Sequence, residues 1–217
     1  MDAAEYDAWY RTARGKWIGQ TEYDLLRAAL RPRPGDTLID IGCGTGYFAR
    51  RFALDGHAVT GVDVDPAMVD FARQHAAGGD EYLRADARRL PFADGAFDLS
   101  ISVTALCFIR EQRTALAEML RVSRRRFVLG LLNRRSLLYL GKGRSNQGGY
   151  HGAHWHTVRE VRSLLDELAV DDYVIRSAIF LPSGRGVART MEHCVSNRIP
   201  LGAFLVAAGR VPASRAR

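Results

Sequence analysis

The chain has 217 residues, room for one domain and not for two of full size. With 47% hydrophobic and 25% charged residues it excludes wholesale disorder and reads as an ordinary soluble fold. Its 31 basic against 24 acidic residues give a net charge of +7, which suits an anionic partner, yet all but Lys16 and Lys142 are arginine, an excess that genome base composition explains as readily as function.

The opening stretch carries Asp2, Glu5 and Asp7 with no apolar run, so no signal peptide is read there. Tyr6, Trp9, Tyr10 and Trp17 make it dense in aromatics, and a helix over Ile18–Leu30 follows, closed by Pro32 and Pro34. Short apolar runs then alternate with amphipathic segments. Strands are expected at Thr37–Ile41, Ala58–Val62, Glu81–Ala85, Phe97–Val103, Phe127–Leu132, Tyr173–Leu181 and Leu201–Ala208. Between them, Asp65-Pro66 opens a helix with Met68, Val69 and Ala72 on its apolar stripe. Glu111–Val122 is amphipathic, and Thr157 with Glu160 forms a capping box ahead of another helix. The alternation predicts an α/β sheet with crossover helices. A single domain is expected over 1–210, with a helical lid at 1–30, a mobile loop at 141–156 and a flexible tail at 211–217. The longest apolar run, Ile199–Gly209, is about half the length that crosses a bilayer, so no membrane insertion is expected. Cys43, Cys107 and Cys194 form no CxxC pair; they read as buried or half-buried thiols of a cytoplasmic protein.

The most informative stretch is Leu38-Ile39-Asp40-Ile41-Gly42-Cys43-Gly44-Thr45-Gly46-Tyr47, which runs from a doubly apolar strand into a helix. Glycines at such a junction permit a tight turn and close approach of a ligand to the main chain. A phosphate-cradling loop requires a lysine that is absent, and the dinucleotide fingerprint requires a third glycine where Tyr47 stands. Asp40, two residues before the first glycine, would repel a pyrophosphate and suits a ligand bearing an ammonium or sulfonium group. Asp63 follows Gly46 by 17 residues, the place for an acid that accepts both hydroxyls of a ribose. Asp86 stands at the next strand tip, placed to accept from an adenine amino group.

The Asp40–Gly46 loop, the Gly61-Val62-Asp63 strand end with Pro66 and Met68, and the block Ala85-Asp86-Ala87, Leu90-Pro91-Phe92, Phe97-Asp98 together resemble the class I S-adenosylmethionine-dependent methyltransferases. The similarity is to the type-11 group that includes ubiquinone- and menaquinone-biosynthesis C-methyltransferases. It runs from about Thr37 to Glu111, with a weaker continuation in Trp155-His156-Thr157 and Leu201–Gly209. It implies a Rossmann-like seven-stranded sheet in order 3-2-1-4-5-7-6, the last strand antiparallel, with helices on both faces. It implies too that S-adenosylmethionine, with S-adenosylhomocysteine as product, lies over Gly42, Cys43, Gly44 and Gly46. Asp63 and Val64 would meet its ribose, Met68 and Ala87 would flank an adenine near Asp86, and Asp40 would hold the methionine amino end. Two departures stand out: Leu106 is followed by Cys107 and Phe108 where many relatives have two histidines, and Ser123–Arg126 replaces a Pro-Gly-Gly turn.

Methyl transfer from a sulfonium is an in-line displacement that asks for positioning, a dry pocket and, for a weakly acidic acceptor, a base. Tyr6, Tyr10 and Trp17 are the lid and substrate candidates. Of the histidines in Tyr150–His156, His154 is the candidate catalytic residue, and no metal is expected because no carboxylate or cysteine lies nearby in sequence. The expected reaction is methyl transfer to a small-molecule acceptor. A nucleic-acid or protein methyltransferase is the alternative raised by the charge, but Ser102-Val103-Thr104-Ala105 replaces the Asn/Asp-Pro-Pro-Tyr of base-amine enzymes and no cysteine follows a proline. A catalytically inactive relative is opposed by Asp40, Asp63 and Asp86, and a nicotinamide-linked reductase by the glycine spacing. The arginines are scattered, so the basic balance reads mainly as surface composition, with room for an anionic small substrate.

Overall fold

A computed structural model of the chain describes residues 2–143 and 148–212. Seven strands, β1 (Thr37–Ile41), β2 (Ala58–Asp63), β3 (Asp80–Arg84), β4 (Phe97–Val103), β5 (Ser123–Leu132), β6 (Tyr173–Ala178) and β7 (Phe204–Arg210), form one sheet in the order β3-β2-β1-β4-β5-β7-β6. β1 to β5 run parallel, and β7 inserts antiparallel to both β5 and β6. This is the expected architecture. Its centre is apolar on both faces: Leu38, Ile39, Leu99, Ile101, Val128 and Leu129 are fully buried, as strands between two helix layers require.

Among the described residues, seven α-helices flank the sheet: α1 (Ala3–Trp9), α2 (Ala13–Leu30), α3 (Tyr47–Leu54), α4 (Pro66–Gln74), α5 (Gln112–Val122), α6 (Val158–Asp166) and α7 (Gly186–Cys194). Their starts follow side-chain chemistry. Asp65 caps α4 by accepting from the Ala67 N–H at 2.9 Å, and Thr157 with Glu160 forms the reciprocal capping box of α6. None of the described helices is long and apolar enough to cross a membrane.

Three expectations need correction. Ser123–Arg126 is not a turn: α5 ends at Val122 and β5 begins at once, with the Ser123 hydroxyl donating to Met119 O at 2.6 Å. The three arginines are therefore strand residues with partners. Arg124 faces Asp98, Arg125 pairs with Asp36, and Arg126 donates to the last carbonyls of α2, Leu30 O at 2.9 Å and Ala29 O at 3.1 Å. Cys194, the last residue of α7, is exposed rather than buried, while Cys43 and Cys107 are buried. The tail does not begin at Val211, which is buried and donates to Arg125 O at 2.9 Å; residues 213–217 lie outside the described residues. So do residues 144–147 of the loop expected at 141–156, whose far end is tied to the sheet through His154 N to Cys107 O at 2.7 Å and His156 N to Leu132 O at 2.8 Å.

Candidate functional site

The carboxyl ends of β1, β2 and β3 bring the glycine loop and its acids together. The loop is pinned from beneath: the N–H groups of Gly42 and Cys43 both donate to Val62 O, at 2.7 and 3.0 Å, and Gly46 N donates to Cys43 O at 2.9 Å. Gly42, Gly44 and Gly46 all take the left-handed backbone that favours glycine, with φ of 73°, 53° and 78°. Their surroundings differ. A Cβ on Gly42 would stand 2.1 Å from that of Ala105, and one on Gly46 would stand 2.5 Å from the Tyr82 hydroxyl, so both serve the packing of the loop on the sheet. A Cβ on Gly44 would meet nothing closer than the Tyr6 ring at 4.0 Å. Gly44 is the member of the trio that leaves open space.

Asp63, at the tip of β2, accepts from Gly44 N at 2.8 Å and from Asp65 N at 3.0 Å. One carboxylate thus sets the loop's height above the sheet, and its remaining lone pairs can still accept. Asp40 lies beneath the loop, 1% exposed, with Oδ1 unpartnered. Burial, and then the charge of Asp63, pushes its carboxyl up to about 8. Thr45 Oγ1 is a second buried oxygen without a partner. Cys43 is buried between the loop and Gly61, where a Cβ would meet its sulfur at 3.0 Å; burial pushes its thiol well up.

Asp86 is held differently from expectation. Arg88 grips both of its oxygens, with a closest approach of 2.7 Å, and reaches Glu111 at 3.0 Å. These bonds hold the Asp86 carboxyl below its ordinary range. Met68 and Ala87 are half-buried, and Val64 is exposed.

α1 lies beside α4, while α2 packs along β5, β6 and β7 and reaches the start of α3 near its own N-terminal half. Tyr10 stacks on Tyr47 with ring centroids 3.7 Å apart, and Gly19 lets α2 approach so closely that a Cβ there would stand 2.4 Å from the Tyr47 hydroxyl. Tyr47, bulky where a dinucleotide fold has glycine, is where α1 and α2 both meet the start of α3. Asp7 pairs with Arg50 at 2.7 Å and fastens α1 to α3. The hydroxyls of Tyr6 and Tyr10 approach to 3.4 Å. Trp17 faces the other way, toward Gly184 in the segment between β6 and α7.

His154 is exposed, its ring edge-on to His156 at 4.5 Å and within the field of Glu160. His156 is buried, with Nδ1 3.8 Å from Cys107 Sγ and Nε2 3.1 Å from Gln112 Oε1; burial pushes it down to about 4 and Cys107 up to about 12. This neutral pair packs the joint between β4 and β5. Among the described residues no three potential metal ligands come together.

One acid escaped the sequence reading. Glu22, on α2, has its carboxyl pushed up to about 8 by burial, and its charge raises Tyr6, Tyr10 and Tyr150 alike. The signal was present in its spacing: Ile18, Glu22 and Leu26 recur at four residues, which sets an acid on the apolar face of the helix.

The sheet order, the glycine loop after β1 and the acid at the tip of β2 define a class I methyltransferase fold. An S-adenosylmethionine-dependent enzyme of Thermotoga maritima, described as a possible histamine N-methyltransferase, shares it with a TM-score of 0.79 at 22% identity, over 96% of this chain and 95% of that one. Geranyl diphosphate C-methyltransferase of Streptomyces coelicolor, solved with Mg2+, geranyl-S-thiolodiphosphate and S-adenosylhomocysteine, shares it with a TM-score of 0.63 at 19% identity, over 88% of this chain and 75% of that one. Residues 39–128 match the model of a methyltransferase domain family. Among curated relatives, the malonyl-[acyl-carrier protein] O-methyltransferases of Serratia marcescens and Pectobacterium atrosepticum are 42% and 37% identical over 91 and 108 residues. Those matches cover 42% and 49% of this chain and only 35% and 42% of the relatives.

Proposed function

We propose that the protein binds S-adenosylmethionine over the β1–β2 loop and transfers its methyl group to a small-molecule acceptor admitted beneath α1 and α2. The observation that carries this reading is the pairing of Gly44, open toward the lid, with the unpartnered Oδ1 of buried Asp40. A buried carboxyl oxygen without a partner is costly unless a donor arrives, and a ligand bearing an ammonium group is such a donor. When bound, the cofactor supplies an electrophilic methyl group on a positively charged sulfur. Gly44 gives it room, Asp63 offers its spare lone pairs to the ribose hydroxyls, and Met68 with Ala87 flanks the base. Asp86 would have to share its oxygens with Arg88 to accept from the adenine. The Tyr6–Tyr10 roof excludes water, and alignment of this kind is worth roughly 7–11 kcal/mol. His154 stands by as an acceptor contact at the outer rim.

A small-molecule acceptor agrees with the charge distribution. Of the arginines that give the chain its basic balance, Arg124, Arg125, Arg134 and Arg126 are engaged with Asp98, Asp36, Glu160 and the end of α2 respectively. The acceptor of the curated relatives is not carried over, because the family match at 39–128 leaves out α1, α2 and everything after β5. Calorimetry with S-adenosylhomocysteine tests the reading: a Kd in the micromolar range, about 8 kcal/mol, is expected. No heat with that ligand or with S-adenosylmethionine, together with binding of a nicotinamide dinucleotide, would overturn it.

A further inference from the structure

The end of the sheet over β5, β7 and β6 exposes apolar side chains that the core does not use. Of the ten large apolar side chains exposed among the described residues, six, Leu137, Leu140, Val187, Met191, Ile199 and Leu201, lie on two segments, 133–143 after β5 and 179–203 between β6 and β7. Such clustering marks a surface for a partner, whereas scattered single residues would not. Leu132 of β5 and Ala178 of β6 both pair with Phe204 of β7, so the two segments leave and enter the sheet at one place. Hydrogen bonds tie them together there. Asn133 Nδ2 donates to Pro200 O at 3.1 Å and to Gly202 O at 2.7 Å, and the Ser177 hydroxyl donates to Ile199 O at 2.5 Å. The N–H groups of Ile179 and Phe180 donate to the two oxygens of Glu192 at 2.7 and 2.9 Å. That contact turns Glu192 and buried Ala188 toward the sheet, so Val187, Met191 and Cys194, which recur at helical spacing on α7, face outward.

The charge on the same two segments is one-sided. They hold six arginine and lysine residues against one acid, Glu192, whose oxygens are taken by the sheet. Arg134 pairs with Glu160, but among the described residues no ion pair engages Arg135, Arg185, Arg189 or Arg198. Arg189 instead donates to Ala13 O at 3.3 Å and Arg14 to Pro182 O at 2.7 Å, which fastens α7 to the start of α2. Cations and apolar residues alternate along the chain, as Arg185, Val187, Arg189, Met191 and then Arg198, Ile199, Leu201. We propose that this face docks the protein on a bilayer surface that bears anionic phospholipids. Apolar side chains set between arginines suit the boundary of headgroups and acyl chains, where the apolar tips are buried and the guanidinium groups meet phosphates. An acidic protein would satisfy the arginines alone; apolar tips spread over a helix and two shorter segments need a partner that conforms to them, and a bilayer surface does so without matched shape. The helix lies on the surface and does not span it. This docking is independent of the methyltransferase reading above.

The test is sedimentation of the full chain with sucrose-loaded vesicles of phosphatidylcholine, alone or with about 30% phosphatidylglycerol, at about 0.05 and about 0.5 M salt. Partition onto the anionic vesicles should be at least about tenfold stronger at the lower salt, and the difference should vanish at the higher. Arg185→Gln with Val187→Ser should weaken anionic binding at least about tenfold. Leu54→Ser with Arg33→Gln, the same exchange at exposed positions by the amino end of the sheet, should keep it within about twofold. Val187→Ser with Met191→Ser keeps every charge and should weaken it at least about tenfold, with an unchanged thermal melt because both side chains are exposed. A polarity-sensitive fluorophore on Cys194, the exposed one of the three cysteines, should shift to the blue with the anionic vesicles alone. Equal partition onto both vesicles, no sedimentation with either, equal loss in the α7 and control variants, or unaltered fluorescence each overturns the assignment. Polyglutamate that displaces the chain at equal carboxylate and phosphate concentration would overturn it in favour of an acidic protein. Dimerisation without vesicles that Val187→Ser with Met191→Ser abolishes would overturn it in favour of a second copy of this chain.

Discussion

Asp63 carries two duties on one carboxylate, and they can be separated. Its oxygens accept the Gly44 and Asp65 N–H groups, so Asp63→Ala removes a ligand acceptor and also releases the loop. Charge-assisted bonds to a ligand predict a loss of about 1–3 kcal/mol in S-adenosylhomocysteine affinity. Asp63→Asn retains an acceptor for one backbone N–H and should lose less; the two affinities by calorimetry, beside urea midpoints, divide loop from ligand. An unchanged affinity in Asp63→Ala would refute the ribose assignment. The glycines divide in the same way. Gly42→Ala sets a methyl 2.1 Å from the Ala105 Cβ and should lower the melting temperature strongly. Gly44→Ala meets open space, so it should cost only about 1–2 kcal/mol of backbone strain while filling the cradle, and ligand affinity should fall more than stability does. Thermal melts and calorimetry on both variants read this directly.

At the level of elements, α2 is where sequence and structure part company. Its apolar spacing was legible, but the helix starts at Ala13 rather than Ile18, because the Thr12 hydroxyl accepts the Gly15 N–H at 3.0 Å and caps it early. β1 and β4 fall at Thr37–Ile41 and Phe97–Val103 as expected, since unbroken apolar runs between breakers leave little choice of register. β5 begins four residues before its expected start, because three successive arginines read as a turn until their partners are known. α7 was missed for a plainer reason: only Ala188 on it is buried, so it carries almost no apolar stripe. The glycine loop and Asp63 were legible because local spacing defines them. Glu22 was legible only as an acid on the apolar face of α2, because its raised carboxyl depends on burial that only the tertiary structure supplies. Arg126 illustrates the same dependence on distant partners. It satisfies two carbonyls at the end of α2, and Arg126→Ala should cost about 1–3 kcal/mol by urea unfolding. Arg110→Ala, an exposed control, should leave the midpoint in place.

Over the whole molecule, protonation ties the site to the stability of the fold. Asp40 and Glu22 have carboxyls pushed up to about 8, from ordinary values of 3.8 and 4.5. Between those limits the folded chain holds protons that the unfolded chain has released, so raising the pH across that window lowers the unfolding free energy. His156 opposes them over part of the range: pushed down to about 4 from 6.5, it stays neutral when folded while the unfolded chain binds a proton, and stability rises with pH between those values. The lowered carboxyls of Asp86, Asp98, Glu111, Glu118 and Glu160 matter only as the pH falls through and below the ordinary carboxylate range. The raised phenols and thiols matter only in alkali. From about pH 6.5 to 8.5 the two buried acids are therefore left unopposed, and the urea midpoint of the ligand-free protein should decline steadily there. Replacing both with amides, Asp40→Asn and Glu22→Gln together, should flatten the profile over that interval and lift the midpoint near pH 8.5, at constant ionic strength. A wild-type midpoint that holds constant or rises there would show that these carboxyls ionise freely.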